Sequence, residues 1–172
     1  VTRLPAIPED CTDIYQWVRK SIEGSLNRLK VNHLYGILLH RPQQLLEKNG
    51  DLLYLELQRL KEDRIVEKIG VSIYDPSELD ALCGRYKIDL VQAPFNVIDR
   101  RLIESGWMRK LSERGIELHV RSIFLQGLLL MSKNNRPANF NRWNVLWNNW
   151  EDWLRISGLS ATEACVRYAL LF

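Results

Sequence analysis

His40 closes an apolar run, Leu-Tyr-Gly-Ile-Leu-Leu, and Arg41 and Pro42 follow it. An imidazole at the end of a buried strand can polarise a carbonyl or pass a proton near neutral pH. A lone histidine is nonetheless more often structural than chemical. Ser72 closes Ile-Gly-Val-Ser, and Gln92 follows Leu-Val in a second apolar run. A hydroxyl and a carboxamide both donate and accept hydrogen bonds, which suits an amide-bearing ligand. Polar strand ends are common singly, but three at equivalent places on consecutive strands point to one shared site. Arg121 and Ser122 precede Ile-Phe-Leu-Gln-Gly. A glycine loop of this kind can hold a phosphate on its amides or simply turn the chain.

These groups need elements to place them. Val1 to Leu4 reads as the tail of a strand stopped by Pro5 and Pro8. Thr12 or Asp13 caps a helix to about Leu29, with Ile14, Trp17, Val18, Ile22, Leu26 and Leu29 on one face. Leu34 to His40 is the next strand. A helix over Asp51 to Asp63, a strand ending at Ser72, a helix from Asp75-Pro76 to about Gly84 and a strand from Ile88 to Pro94 follow. Arg100 to Arg114 is expected to be one helix stopped by Gly115, and Ile116 to Ile123 a strand. Phe124 to Pro137 reads as a long loop. Phe140 to Ser157 reads as a helix whose tryptophans, Trp143, Trp147, Trp150 and Trp153, form a packed stripe rather than a stacking platform. Ser160 and Glu163 form a capping box for a last helix.

Short apolar strands alternating with helices imply a parallel sheet covered on both sides. No Gly-x-Gly-x-x-Gly follows any strand, so the dinucleotide fingerprint of an open doubly wound sheet is missing. Polar residues gather instead at successive carboxyl ends, which in a barrel form one ring around one pocket. The residues therefore favour an α/β barrel over an open doubly wound sheet, with 1–172 as one domain that looks cut at both ends.

Composition narrows the function. The 172 residues are 46% apolar and 26% charged, with a net charge of +3 from interspersed residues. That profile is globular and lacks the clustered basic face of a nucleic-acid binder; the basic stretch Arg19 to Lys30 reads as a solvated helix face. No apolar run is long enough for a membrane span. Cys11, Cys83 and Cys165 are isolated and lack metal-ligand spacing, so free thiols in a reducing, cytoplasmic setting and no metal are expected.

Four segments taken together resemble the aldo/keto reductases: Leu-Leu-His-Arg-Pro (38–42), Lys-Ile-Gly-Val-Ser-Ile-Tyr (68–74), Val-Gln-Ala-Pro-Phe-Asn (91–96) and Arg-Ser-Ile-Phe-Leu-Gln-Gly-Leu-Leu (121–129). Each is weak alone, but they stand in the family's order and spacing. The resemblance implies a (β/α)8 barrel and reduction of small carbonyl compounds, sugar-like ones among them, with NADP(H) or NAD(H). Of the family's Asp-Tyr-Lys-His tetrad, His40 matches the histidine. Arg3 of Thr-Arg-Leu-Pro stands where lysine is expected, and the aspartate and tyrosine would precede Val1. Ser72 and Gln92 match the residues that hold the nicotinamide carboxamide, with Ile73 where many members have Asn. Arg121 falls where a tyrosine often stacks on the nicotinamide. Ser122, Phe124 and Gln126 match positions near the pyrophosphate, and Arg41 and Asn96 fall on the rim of the substrate pocket.

On this resemblance the chain is an internal segment, from the end of the third strand to the helix before the eighth. The expectation is that it is inactive alone and that its open sheet edges favour self-association. Two rival readings remain. One is a non-catalytic binding or regulatory protein on a reductase-like barrel, which Arg3 and Arg121 support. The other is a different barrel enzyme, such as a phosphate-sugar isomerase or aldolase, which would need a lysine or paired carboxylates at the strand ends.

Overall fold

A computed structural model describes residues 1–172. Five strands form one sheet in sequential order: β1 (Thr2–Leu4), β2 (Leu34–Leu39), β3 (Val66–Ser72), β4 (Leu90–Pro94) and β5 (Glu117–Arg121). The first three pairings are parallel. β5 runs the same way, because the Glu117 amide donates to Asp89 O and the Phe95 amide to Arg121 O. Helices occupy the connections: α1 (Ile14–Leu29), α2 (Gly50–Glu62), α3 (Glu78–Arg85), α4 (Arg101–Glu104) and α5 (Trp107–Glu113). After β5 come α6 (Asn144–Ser157) and α7 (Ala161–Ala169). A parallel sheet in sequential order with a helix in each connection is part of a (β/α)8 barrel.

The chain divides into two compact units, one of residues 1–93 and 101–119, the other of 94–100 and 120–172. In the first, Val18 and Ile22 of α1 and Leu53, Leu57 and Leu60 of α2 are buried, as are Ile37, Leu39, Ile69 and Val71 of the sheet. Asp13 accepts from the Gln16 amide at 2.9 Å and starts α1. Leu29 shares the apolar stripe but lies in the last turn and is exposed. Gly70 is required by close approach: a Cβ there would meet Leu90 O at 2.4 Å and Leu38 Cδ2 at 2.8 Å.

The second unit has its own core of Leu128, Leu129, Trp147 and Cys165, with Phe124, Phe140 and Trp150 packed against it. The capping box at Ser160 and Glu163 is present in both directions. The tryptophan stripe is only half packed. Trp147 is buried, whereas Trp153 is exposed and stacks on Trp150 at 5.7 Å. The cysteines are unpaired, and burial pushes the Cys83 and Cys165 thiols up.

Several boundaries differ from the sequence expectation. The helix expected over Arg100 to Arg114 is two short ones, because Gly106 adopts φ 76° between them. The helix after Pro76 begins only at Glu78, after a turn in which Asp75 accepts from Ser77. The first turn of the tryptophan segment, Ala138–Trp143, is a 3-10 helix. Pro42–Leu46 also forms a 3-10 turn, and two more short ones lie within the expected loop Phe124 to Pro137.

Candidate functional site

In the first unit the register fixes which side chains share a face. Ser72 lies opposite Gln92, and Gly70 opposite Leu90. Leu38 lies opposite Gly70, so His40, two residues on, belongs by alternation to the same face as Ser72. Arg3 is level with Leu38. Arg3, His40, Ser72 and Gln92 thus all stand at the carboxyl-terminal end of one sheet face.

The structure joins three of them. Ser72, 2% exposed, donates from Oγ to Gln92 Oε1 at 3.3 Å. Arg3 reaches past β2 and β3 and donates to the same oxygen. With Oε1 occupied twice, the Gln92 carboxamide has a fixed orientation, and its Nε2 hydrogens point to no protein acceptor. A carboxamide held by its oxygen in this way can donate to a ligand carbonyl without first being turned. His40 is held by its backbone, whose amide donates to Leu4 O at 3.1 Å. Its ring is exposed and makes no hydrogen bond within the chain. Arg41 turns to Glu47, with Nη2 3.2 Å from Oε1. Both line a shallow polar cavity of about 230 Å³ with Ile7, Cys11 and Gln44.

In the second unit Asn96 is buried at 2% exposure. Its Nδ2 donates to Ser122 O at 3.0 Å, and its Oδ1 accepts from the Ile98 and Asp99 amides at 2.9 and 2.8 Å. Asn96 therefore braces two loops against each other. The Arg121 guanidinium lies 3.5 Å from Ser122 Oγ. After β5 the backbone is left-handed at Ser122 (φ 60°), Leu125 (φ 47°), Gln126 (φ 56°) and Gly127 (φ 87°). Leucine and glutamine in that region cost roughly 1–2 kcal/mol each, so the loop is held in shape by what surrounds it. Leu125, Gly127, Leu128 and Leu129 spend their amides on Ser122, Phe124 and Leu125 carbonyls. The Phe124 and Gln126 amides have no protein acceptor.

One polar group had no forecast in the sequence. Glu117 on β5 accepts from Tyr35 Oη at 2.5 Å, from the Lys68 ammonium, and lies 2.6 Å from His119 Nε2. The Lys68 ammonium also sits 4.8 Å from the Tyr35 ring centroid. The Lys68 and Tyr35 hydrogen bonds pull the Glu117 carboxyl down to about 2, and Glu117 in turn raises Lys68. Lys68 alternates with Gly70 and Ser72 and so lies on the candidate site's face near the amino-terminal end of β3, and Tyr35, which precedes Gly36, reaches the group from the start of β2. The signal was available in the period-two placing of Lys68 before Ser72 and of Glu117 and His119 before Arg121. No three His, Cys, Asp or Glu side chains converge in a way that could hold a metal ion, and no helix is long and apolar enough to cross a membrane.

Residues 7–171 match the model of the family described as the aldo/keto reductase family. Among solved structures, a glycerol dehydrogenase of Gluconobacter oxydans shares 21% identity at a TM-score of 0.68, over 96% of this chain and 56% of that one. An aldo-keto reductase from a Medee basin deep-sea metagenome library shares 16% identity at a TM-score of 0.65, over 99% and 56%. The holo form of an aldo-keto reductase from Bacillus halodurans shares 21% identity at a TM-score of 0.61, over 76% and 43%. At such identities the likeness concerns the fold. The chain spans about half the length of these solved relatives. A comparison with curated proteins gives no match.

Proposed function

The chain belongs to the aldo/keto reductase family, and from that premise we propose that the protein is an oxidoreductase that reduces a small aldehyde or ketone with NADPH or NADH. The observation that carries this reading is the Gln92 carboxamide, whose oxygen is held by Ser72 and Arg3 and whose Nε2 is left to donate. Ser72 and Gln92 would hold a nicotinamide carboxamide. The second unit, taken by itself, would hold an anion on the Phe124 and Gln126 amides and the Ser122 hydroxyl. The bound dinucleotide supplies the hydride. His40 would orient the substrate carbonyl by donating to its oxygen, a role open to an imidazole with no partner of its own. Arg3 adds positive charge beside Gln92.

Proton delivery falls to the family's tyrosine, and no tyrosine hydroxyl is bonded to His40 or Arg3 within these 172 residues. We therefore expect the 172 residues alone not to turn over substrate. The test on the full-length protein is consumption of NADPH and of NADH with a panel of aldehydes, ketones and sugars. Carbonyl-dependent oxidation that falls at least a hundredfold in His40→Ala is expected. No oxidation with any carbonyl would sink the enzyme reading. The same assay separates the second reading, a dinucleotide binder without turnover, which the commitment of Arg3 to Gln92 favours.

A further inference from the structure

Loop Ser122–Leu130 has four left-handed residues, three of which are not glycine. Its downstream end is gripped by side chains from elsewhere in the second unit. Trp150 Nε1 donates to Leu129 O at 3.1 Å. Arg136 Nη2 donates to Met131 O at 3.0 Å. The Arg136 side chain is only 4% exposed, lies 4.4 Å from the Trp147 ring centroid, and pairs with Glu151 Oε1 at 3.1 Å. Trp147 in turn donates to Phe140 O at 3.1 Å and packs on Leu128 and Leu129. A guanidinium is suited to this place because its flat face lies over the indole while Nη2 donates to both Met131 O and Glu151 Oε1, whereas an ammonium has the donors but no flat face to stack.

We propose that Arg136 and Trp150 are positioning residues for anion binding. They touch no ligand themselves, but by fixing the Leu129 and Met131 carbonyls they hold the turn in which the Phe124 and Gln126 amides have no protein acceptor. Upstream, Asn96 performs the matching task on Ser122 O. The proposal rests on the reading of this loop as a phosphate-holding loop. The ligand class is a pyrophosphate-bearing nucleotide, and the loop alone addresses its phosphates.

ADP-ribose is therefore the probe, titrated against the full-length protein and its Trp150→Phe, Arg136→Lys and Trp153→Phe variants. Trp150→Phe keeps an aromatic ring and loses the donor, and Arg136→Lys keeps the charge and loses the flat face that lies over Trp147. Each is expected to weaken ADP-ribose about fivefold to tenfold, to leave the thermal midpoint near that of the parent, and to speed amide hydrogen exchange at 123–130. Trp153→Phe should change none of these. Parent-like affinity and exchange in both variants would overturn the proposal. If the parent itself does not bind ADP-ribose, the phosphate reading of the loop fails and the positioning role falls with it. Faster exchange in the variants would then show only a structural brace. A variant that loses midpoint and affinity together is referred to Arg136→Gln, where loose binding at a parental midpoint is expected and parental binding refutes the role.

Discussion

Replacing Glu117 by glutamine tests the electrostatics at the amino-terminal end of the sheet. The carboxylate joins three strands, accepting from Tyr35 on β2 and Lys68 on β3 while paired with His119 on its own strand. Its carboxyl moves from 4.5 to about 2 on folding, which at about 1.4 kcal/mol per pH unit amounts to roughly 3 kcal/mol. The side chain is 29% exposed, and water screens much of such an interaction, so about 1 kcal/mol is the expected net effect. The folded-state value is depressed, so this contribution is complete above the ordinary glutamate range and lost as pH falls from 4.5 toward 2. Lys68 is shifted the other way. Its share is complete below its ordinary 10.5 and is lost as pH rises past that. Urea unfolding of wild type and Glu117→Gln across acid and neutral pH is the assay. The variant should be less stable by about 1 kcal/mol near neutrality, and the two curves should converge near pH 2. A gap that stays constant with pH would refute the argument, because it would mean that Glu117 acts by packing and not by charge.

Three further outcomes follow from the same geometry. Gly70→Ala should leave little folded protein by circular dichroism, since the added carbon meets the Leu90 carbonyl at 2.4 Å and backbone cannot move aside cheaply. Leu57→Ala, at a fully buried position on α2, should cost about 2–5 kcal/mol in chemical denaturation. In the full-length protein Arg3→Lys should raise the turnover number in carbonyl-dependent NADPH oxidation, because an ammonium restores the family's usual group at that position; a large drop would show that Arg3 matters through its grip on Gln92.

Much of this architecture was legible in residue types. The β2 run ending at His40, the Asp13 cap and the Ser160–Glu163 box are local signals, and local physics decides them. The alignment of His40, Ser72 and Gln92 on one face was legible as well, because strand alternation is regular. Other features depend on partners remote in sequence. Arg3 reads as a stand-in for lysine, yet only the register reveals its bond to Gln92. Asn96 reads as pocket rim, yet its three hydrogen bonds make it a brace between loops. Lys68 and Glu117 read as ordinary strand charges until the sheet brings them together. Nothing in a leucine or a glutamine announces the left-handed turn at 125 and 126. The break at Gly106 lies inside an apolar pattern, Leu102, Trp107 and Leu111, that continues across it.

The most direct test of the central claim is fluorescence titration of the full-length protein and its Gln92→Leu variant with NADPH and NADH. The account predicts saturable one-site binding of at least one nucleotide, weakened about fivefold to tenfold by Gln92→Leu, as expected for loss of about one to one and a half kcal/mol of hydrogen bonding. Absence of binding to either nucleotide, or equal affinity in the variant, would contradict it.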